Sequence, residues 1–132
     1  MGKLILDTSA WINLERSSEL HDRLGKTDQL MVPAPVLGEL KVAANLVSRS
    51  TNARKATEAF IDYILANSEF LPIDSQTCHV FGQLKAHCME NGKTRGVNDL
   101  WTASATIRNQ AELLTFDNRA NFDGLPGLAL RN

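Results

Sequence analysis

Histidine, cysteine and long apolar runs are scarce in this chain, and each scarcity closes off a class of function. Three histidines and two cysteines are spread through 132 residues. No histidine accompanies the acids that follow the apolar runs, which argues against zinc hydrolysis. Cys78 and Cys88 fall in a single segment that reads as a helix; ten residues apart, they are separated by roughly 15 Å of rise, beyond disulfide reach. Cys78-His79 and His87-Cys88 leave such a helix in different directions, so they cannot close a tetrahedron around zinc. The thiols read as those of a reduced intracellular protein. Leu4-Ile5-Leu6 is too short a run for a signal peptide or a membrane span, and Leu6 stands where a myristoylation pattern takes Ser or Thr. A cytoplasmic location is expected. Excess charge is also missing: the net charge is -1, so any surface for a polyanion must be local. Repeats and low-complexity segments are absent, as are a G-x-x-x-x-G-K-[ST] phosphate loop and a G-x-S-x-G elbow.

What is present is a chain of 43% hydrophobic residues, enough to exclude disorder. Residues 1–132 are expected to form one domain that buries roughly two thirds of its unfolded surface. Short apolar runs alternate with helical spacings. Leu4-Ile5-Leu6 reads as a buried strand that leads into a helix, and Ser17-Ser18-Glu19 as the start of a second short helix ending near Gly25. His21, in that charged segment, carries no usable signal. Leu30-Met31-Val32 is a strand stopped by Pro33, with Pro35 opening the next helix. Residues 34–67 read as a helical hairpin whose first stripe is Val36, Leu40, Ala43, Ala44 and Val47. The polar run from Ser48 to Lys55 is a loop or a helix start. A brief extended piece, Phe70 to Ile73, precedes a helix capped by Asp74 or Ser75 and running to about Asn91. A glycine-punctuated loop then leads to an apolar helix opened by Asn98 or Asp99. The strand Glu112 to Phe116 ends at Asp117. Asn118, Arg119 and Asn121 read as turn chemistry, and Leu128-Ala129-Leu130 as a last short strand. Such alternation implies an α/β fold with a largely parallel sheet and helices on both faces.

In a sheet of that kind the carboxyl ends of the strands border the ligand crevice. Asp7 and Asp117 each follow a strand there, while Glu39 and Asp99 fall near the starts of helices on the same edge. For each acid an ordinary structural role competes. Asp7 or Ser9 suits an N-cap, Glu39 could pair with Lys41, Asp99 complements a helix dipole, and Asp74 is read as a cap alone. Together the four carry a problem: carboxylates about 4 Å apart repel by roughly 4 kcal/mol per pair at an effective dielectric of about 20. A divalent cation removes it. All-oxygen ligands suit Mg²⁺ or Mn²⁺, which would polarise a phosphodiester and help generate hydroxide. An aspartyl-phosphate enzyme is disfavoured because Ser9 stands where such enzymes commonly place a second acid.

Four segments resemble the PIN-domain ribonucleases, most closely the small VapC-type toxins of prokaryotic toxin-antitoxin pairs. They are Leu-Asp-Thr-Ser at 6–9, Gly-Glu-Leu at 38–40, Asn-Asp-Leu-Trp-Thr-Ala at 98–103, and Leu-Leu-Thr-Phe-Asp at 113–117, with Phe122 and Pro126-Gly127-Leu128 behind. The resemblance implies a three-layer α/β/α fold with a mostly parallel sheet of four to five strands. It makes Asp7, Glu39, Asp99 and Asp117 the catalytic metal-site acids, with Asp123 a poorer substitute for the last, and Thr8, Ser9 and Thr115 their polar supports. It further implies Mg²⁺- or Mn²⁺-dependent RNA cleavage leaving 5′-phosphates, a homodimer, and a cognate antitoxin through which DNA is bound.

RNA binding would need local cations. Lys93 and Arg95 are the first candidates, with Lys41 and Arg119 behind them. Trp11 and Ile12 read as core rather than as part of an antitoxin groove. Two alternatives stand beside the toxin: a PIN nuclease of RNA processing or decay, and a largely non-catalytic scaffold in a DNA-binding complex.

Overall fold

The structure, a computed structural model, describes residues 2–16, 28–46, 51–116 and 119–131. The short helix expected from Ser17 to Gly25, together with His21, Val47, Asp117 and Asn118, lies outside them. In chain order the elements are β1 (Lys3–Leu6), α1 (Thr8–Arg16), β2 (Gln29–Pro33), α2 (Ala34–Leu46), α3 (Thr51–Asn67), β3 (Glu69–Leu71), α4 (Ser75–Glu90), α5 (Val97–Arg108), β4 (Glu112–Leu114) and α6 (Arg119–Phe122).

The four strands form one sheet in the order β3-β2-β1-β4, with every pairing parallel. Strands buried on both faces are apolar at consecutive positions, and neighbouring side chains go to opposite sides. Leu4, Leu6, Val32 and Leu114 join the core formed with α1, α2 and α3. Ile5, Met31 and Leu113 join the opposite core, formed with α4 and α5. The three layers are thus written into the strands residue by residue. The α2–α3 pair is the hairpin expected over 34–67, and the described part of the polar run, from Thr51 to Lys55, starts a helix. Helix α5 is buried on several sides through Leu100, Thr102, Ala103, Ser104, Ala105 and Thr106. Its small hydroxyls bond to carbonyls one turn back, so they add no unsatisfied polar groups to the core.

Several boundaries differ from the sequence reading. Helix α5 begins at Val97 behind Gly96, so neither Asn98 nor Asp99 is its cap; Asp99 lies inside the first turn. Arg119 and Asn121, expected as turn chemistry, belong instead to a helical turn, Arg119–Phe122, with Phe122 buried. The expected strand Leu128-Ala129-Leu130 contributes only an isolated bridge between Leu113 and Leu130. Past it, Arg131 ion-pairs with Asp28 and with Glu112 at 2.7 Å, which ties the C-terminal segment across the sheet. Strand β4 closes at Leu114, before Thr115 and Phe116. Asp74 caps α4 as expected, accepting from the Thr77 backbone N–H at 2.7 Å.

Candidate active site

Because β1, β2 and β4 are parallel, their carboxyl ends share one edge, and Asp7 leaves β1 at that edge. The residue is 4% exposed, a position a carboxylate tolerates only when its oxygens are well supplied with donors. Oδ1 accepts from the Ser9 hydroxyl at 2.7 Å and from the Ala10 backbone N–H at 2.9 Å. Oδ2 accepts from the Thr115 hydroxyl at 2.5 Å. The bond from Ala10 is an N-cap bond, so Asp7 both starts α1 and faces the strand edge. The cap does not move Asp7 away from the strand edge. Ser9 Oγ also accepts from the Phe116 backbone N–H at 3.2 Å, drawing the end of β4 onto the start of α1.

Glu39 sits in the second turn of α2, one turn further in than expected, and half-buried. It does not pair with Lys41; Thr8 Oγ1 donates to its Oε1 at 3.0 Å. Burial is the main cause that raises its pKa, the Thr8 bond opposes that shift, and the charges of Asp99 and Asp7 raise it further. Asp99, also half-buried, has a raised pKa chiefly from burial, with Asp7 contributing and the Asn121 amide acting in the opposite sense. Asn121 Nδ2 donates to Asp99 Oδ2 at 3.1 Å. Asp7, Glu39 and Asp99 therefore come from three separate elements and repel one another across a shared space.

Among the described residues, no group of three or more His, Cys, Asp or Glu side chains is drawn into a ready metal cage. The donor chemistry nonetheless fits a hard divalent cation. The acids are all oxygen donors, no imidazole stands among them, and magnesium, which keeps several waters, does not require an all-protein cage. Asp117, expected as the fourth acid, lies outside the described residues. Asp123 is exposed, 3.7 Å from Arg119 Nε.

The cations divide. Lys93 is exposed and lines an open cleft of about 380 Å³ with Thr94, Arg95, Ala120, Asn121 and Asp123. Lys41 is exposed two residues beyond Glu39. Arg119 is exposed beside Asp123. Arg95 is bound to backbone: Nη1 donates to Asn121 O at 2.5 Å and to Ala120 O at 3.4 Å, and Nη2 to Asp123 O at 2.7 Å. Trp11 is wholly buried, whereas Ile12 lines a groove with Glu15, Arg16, Leu40, Ala43 and Phe60. Cys78 and Cys88 are free and lie along α4. Sequence reasoning missed Asn121 as a partner of Asp99; it lies 22 residues away, and no helical or strand period connects the two.

The family model for the PIN domain matches residues 4–127. A protein named Ribonuclease VapC5 from Mycobacterium tuberculosis is 30% identical over 125 residues, which span 95% of this chain and 89% of that protein. Among solved structures, VapBC-5 from Mycobacterium tuberculosis, a member of the VapBC family of toxin-antitoxin systems, superimposes with a TM-score of 0.79 and 25% identity over 100% of both chains. VapBC2 from Rickettsia felis, bound to a DNA fragment from its promoter, gives a TM-score of 0.85 at 23% identity over 98% of both chains, a likeness of fold.

Proposed function

Because the chain belongs to the PIN-domain family, we propose that it is a metal-dependent endoribonuclease, the toxin of a toxin-antitoxin pair, that hydrolyses RNA phosphodiester bonds to leave 5′-phosphate ends. The observation that carries this reading is the meeting of Asp7, Glu39 and Asp99 at one end of the parallel sheet, close enough that Asp7 raises the pKa of both other acids. Such repulsion costs stability. A scaffold has no use for it, and a site for a divalent cation does.

Asp7, Glu39 and Asp99, with Asp117, would hold Mg²⁺ or Mn²⁺. When bound, the ion supplies Lewis-acid polarisation of the scissile phosphate and lowers the pKa of water. The protein's own part is to fix the carboxylates before substrate arrives. Ser9, Ala10 and Thr115 hold both oxygens of Asp7, and Thr8 holds one oxygen of Glu39. These donors restrict the rotation of both carboxylates, which limits reorganisation during the reaction. Lys93, at the neighbouring cleft, attracts the RNA backbone, with the exposed Lys41 and Arg119 as further phosphate contacts. A homodimer, an antitoxin that blocks the site and joins the toxin to DNA, and a cytoplasmic location complete the proposal. Support for the pairing comes from the likeness to VapBC-5. Among the described residues no helix is long and apolar enough to cross a membrane.

Cleavage of total cellular RNA by wild type and Asp7→Asn, with Mg²⁺, with Mn²⁺ and with EDTA, tests the reading. Cuts that require metal, carry 5′-phosphates on sequencing and vanish in the variant are expected. Folded, antitoxin-free wild type that cuts nothing would sink it.

A further inference from the structure

Asp99 is held in a way that Asp7 and Glu39 are not. Both of those are steadied by hydroxyls of the Thr8-Ser9 turn or of Thr115. Asp99 Oδ2 instead receives a side-chain amide, Asn121 Nδ2, at 3.1 Å. On its other side stands Gly96, where an added Cβ would lie 3.3 Å from the same oxygen. A side chain there would crowd the carboxylate, and its absence leaves the carboxylate room to meet Asn121.

Asn121 belongs to α6, only four residues long. A single helical turn leaves its last carbonyls without intrahelical partners and is weak by itself. Arg95 supplies what is missing. Its guanidinium, planar and rich in donors, reaches the carbonyls of Ala120, Asn121 and Asp123. It approaches past Gly124, which has φ +81 and whose added Cβ would stand 3.9 Å from Arg95 Nη2. Phe122, 1% exposed, anchors the same turn from below. Arg95 and Asp99 leave neighbouring positions of one segment, and Asn121 receives the first through its backbone and engages the second through its side chain.

We propose that Asn121 is a positioning residue for the metal site, orienting the Asp99 carboxylate, and that Arg95 acts through it by clamping α6. This rests on the nuclease reading above and extends it. It also separates two neighbouring cations, Lys93 being available to RNA and Arg95 serving the shape of the site. Residues that orient a metal-binding carboxylate typically change metal affinity or activity by roughly 10- to 100-fold when removed.

The experiment compares wild type, Asn121→Leu, Arg95→Met and the α3 surface control Arg54→Ala. Each folded, metal-free protein is titrated with Mn²⁺ by calorimetry, and RNA cleavage is then followed across Mn²⁺ concentration. Asn121→Leu and Arg95→Met should bind Mn²⁺ roughly 10- to 100-fold more weakly and regain most of their cleavage rate at saturating Mn²⁺, while Arg54→Ala matches wild type. If Arg95→Met fails to fold, Asn121→Leu decides, since Asn121 is exposed. An Asn121→Leu protein with wild-type Mn²⁺ affinity overturns the inference, whatever its cleavage rate. Wild type that neither binds Mn²⁺ nor cleaves brings down the nuclease site itself, and does so before any variant is compared.

Discussion

Thr115 Oγ1 donates to Asp7 Oδ2 at 2.5 Å across a sequence separation of 108 residues, and this bond fastens the end of β4 to the first acid of the proposed site. Thr115→Val keeps the shape and removes the donor. With Thr115 6% exposed and Asp7 4% exposed, water cannot easily take its place, so a loss of about 1 to 3 kcal/mol is expected in urea unfolding. Cleavage should fall roughly 10- to 100-fold, and Thr115→Ser should restore most of both. A valine variant as stable and as active as wild type would show that the bond is incidental.

The acids should separate by location and not by type. Asp7→Asn and Asp99→Asn are expected to abolish RNA cleavage while the circular dichroism spectrum stays that of the folded protein. Asp74→Asn should cleave normally. Asp74 has its pKa lowered first by the Thr77 hydroxyl and then by the Thr77 backbone N–H, and asparagine caps a helix about as well as aspartate. Activity surviving in both of the first two variants would refute the site.

Glu39 and Asp99 have raised pKa values, with burial as the leading cause. In the metal-free protein the native state therefore binds more protons than the unfolded state between the ordinary carboxylate range and those raised values. Stability falls as pH rises through that window, and above it the full cost is present. Glu39→Gln removes the charge and keeps an oxygen for Thr8. It should raise the melting temperature of the metal-free protein by a few degrees near about pH 7, and the gain should shrink on approach to about pH 4, where glutamate in the unfolded chain is itself protonated. Added Mg²⁺ should raise the wild-type melting temperature more than that of the variant. Calorimetric scans across this range decide the matter: a variant melting below wild type at neutral pH contradicts the sign.

The sheet, and the elements on which Asp7 and Glu39 lie, are legible because they depend on near neighbours in sequence. Leu4-Ile5-Leu6 is apolar on both faces and is followed at once by Asp7, and Val36, Leu40 and Ala44 mark the buried side of α2 beside Glu39. The start of α5 was misplaced because Asn98 and Asp99 are good capping residues by type, whereas the chain enters the helix at Gly96, which has no side-chain cap. Freed from capping, Asp99 can turn toward Asn121. In sequence Asn121 reads as turn chemistry, because its bond to Asp99 exists only once Phe122 is packed and Arg95 has gathered the carbonyls of α6. In sequence Arg95 and Lys93 are two similar cations two residues apart; only packing assigns one to backbone and leaves the other exposed.

That division predicts different responses to salt. Lys93 is exposed beside the open cleft, and a lysine that neutralises one phosphate releases condensed counterions from single-stranded RNA, contributing about 0.7 to the slope of log affinity against log salt. Lys93→Ala should weaken RNA binding by a similar factor for all sequences, lessen the slope by about that amount, and leave Mn²⁺ affinity unchanged. Binding would be measured with the uncleaving Asp7→Asn protein, by fluorescence anisotropy at several salt concentrations. Arg95→Met in the same background should leave the slope nearly as it was, because its guanidinium is engaged with Ala120, Asn121 and Asp123 carbonyls. If instead Arg95→Met flattens the slope and Lys93→Ala does not, the arginine leaves α6 to meet the phosphate, and the cleft is read by a different cation from the one its geometry presents.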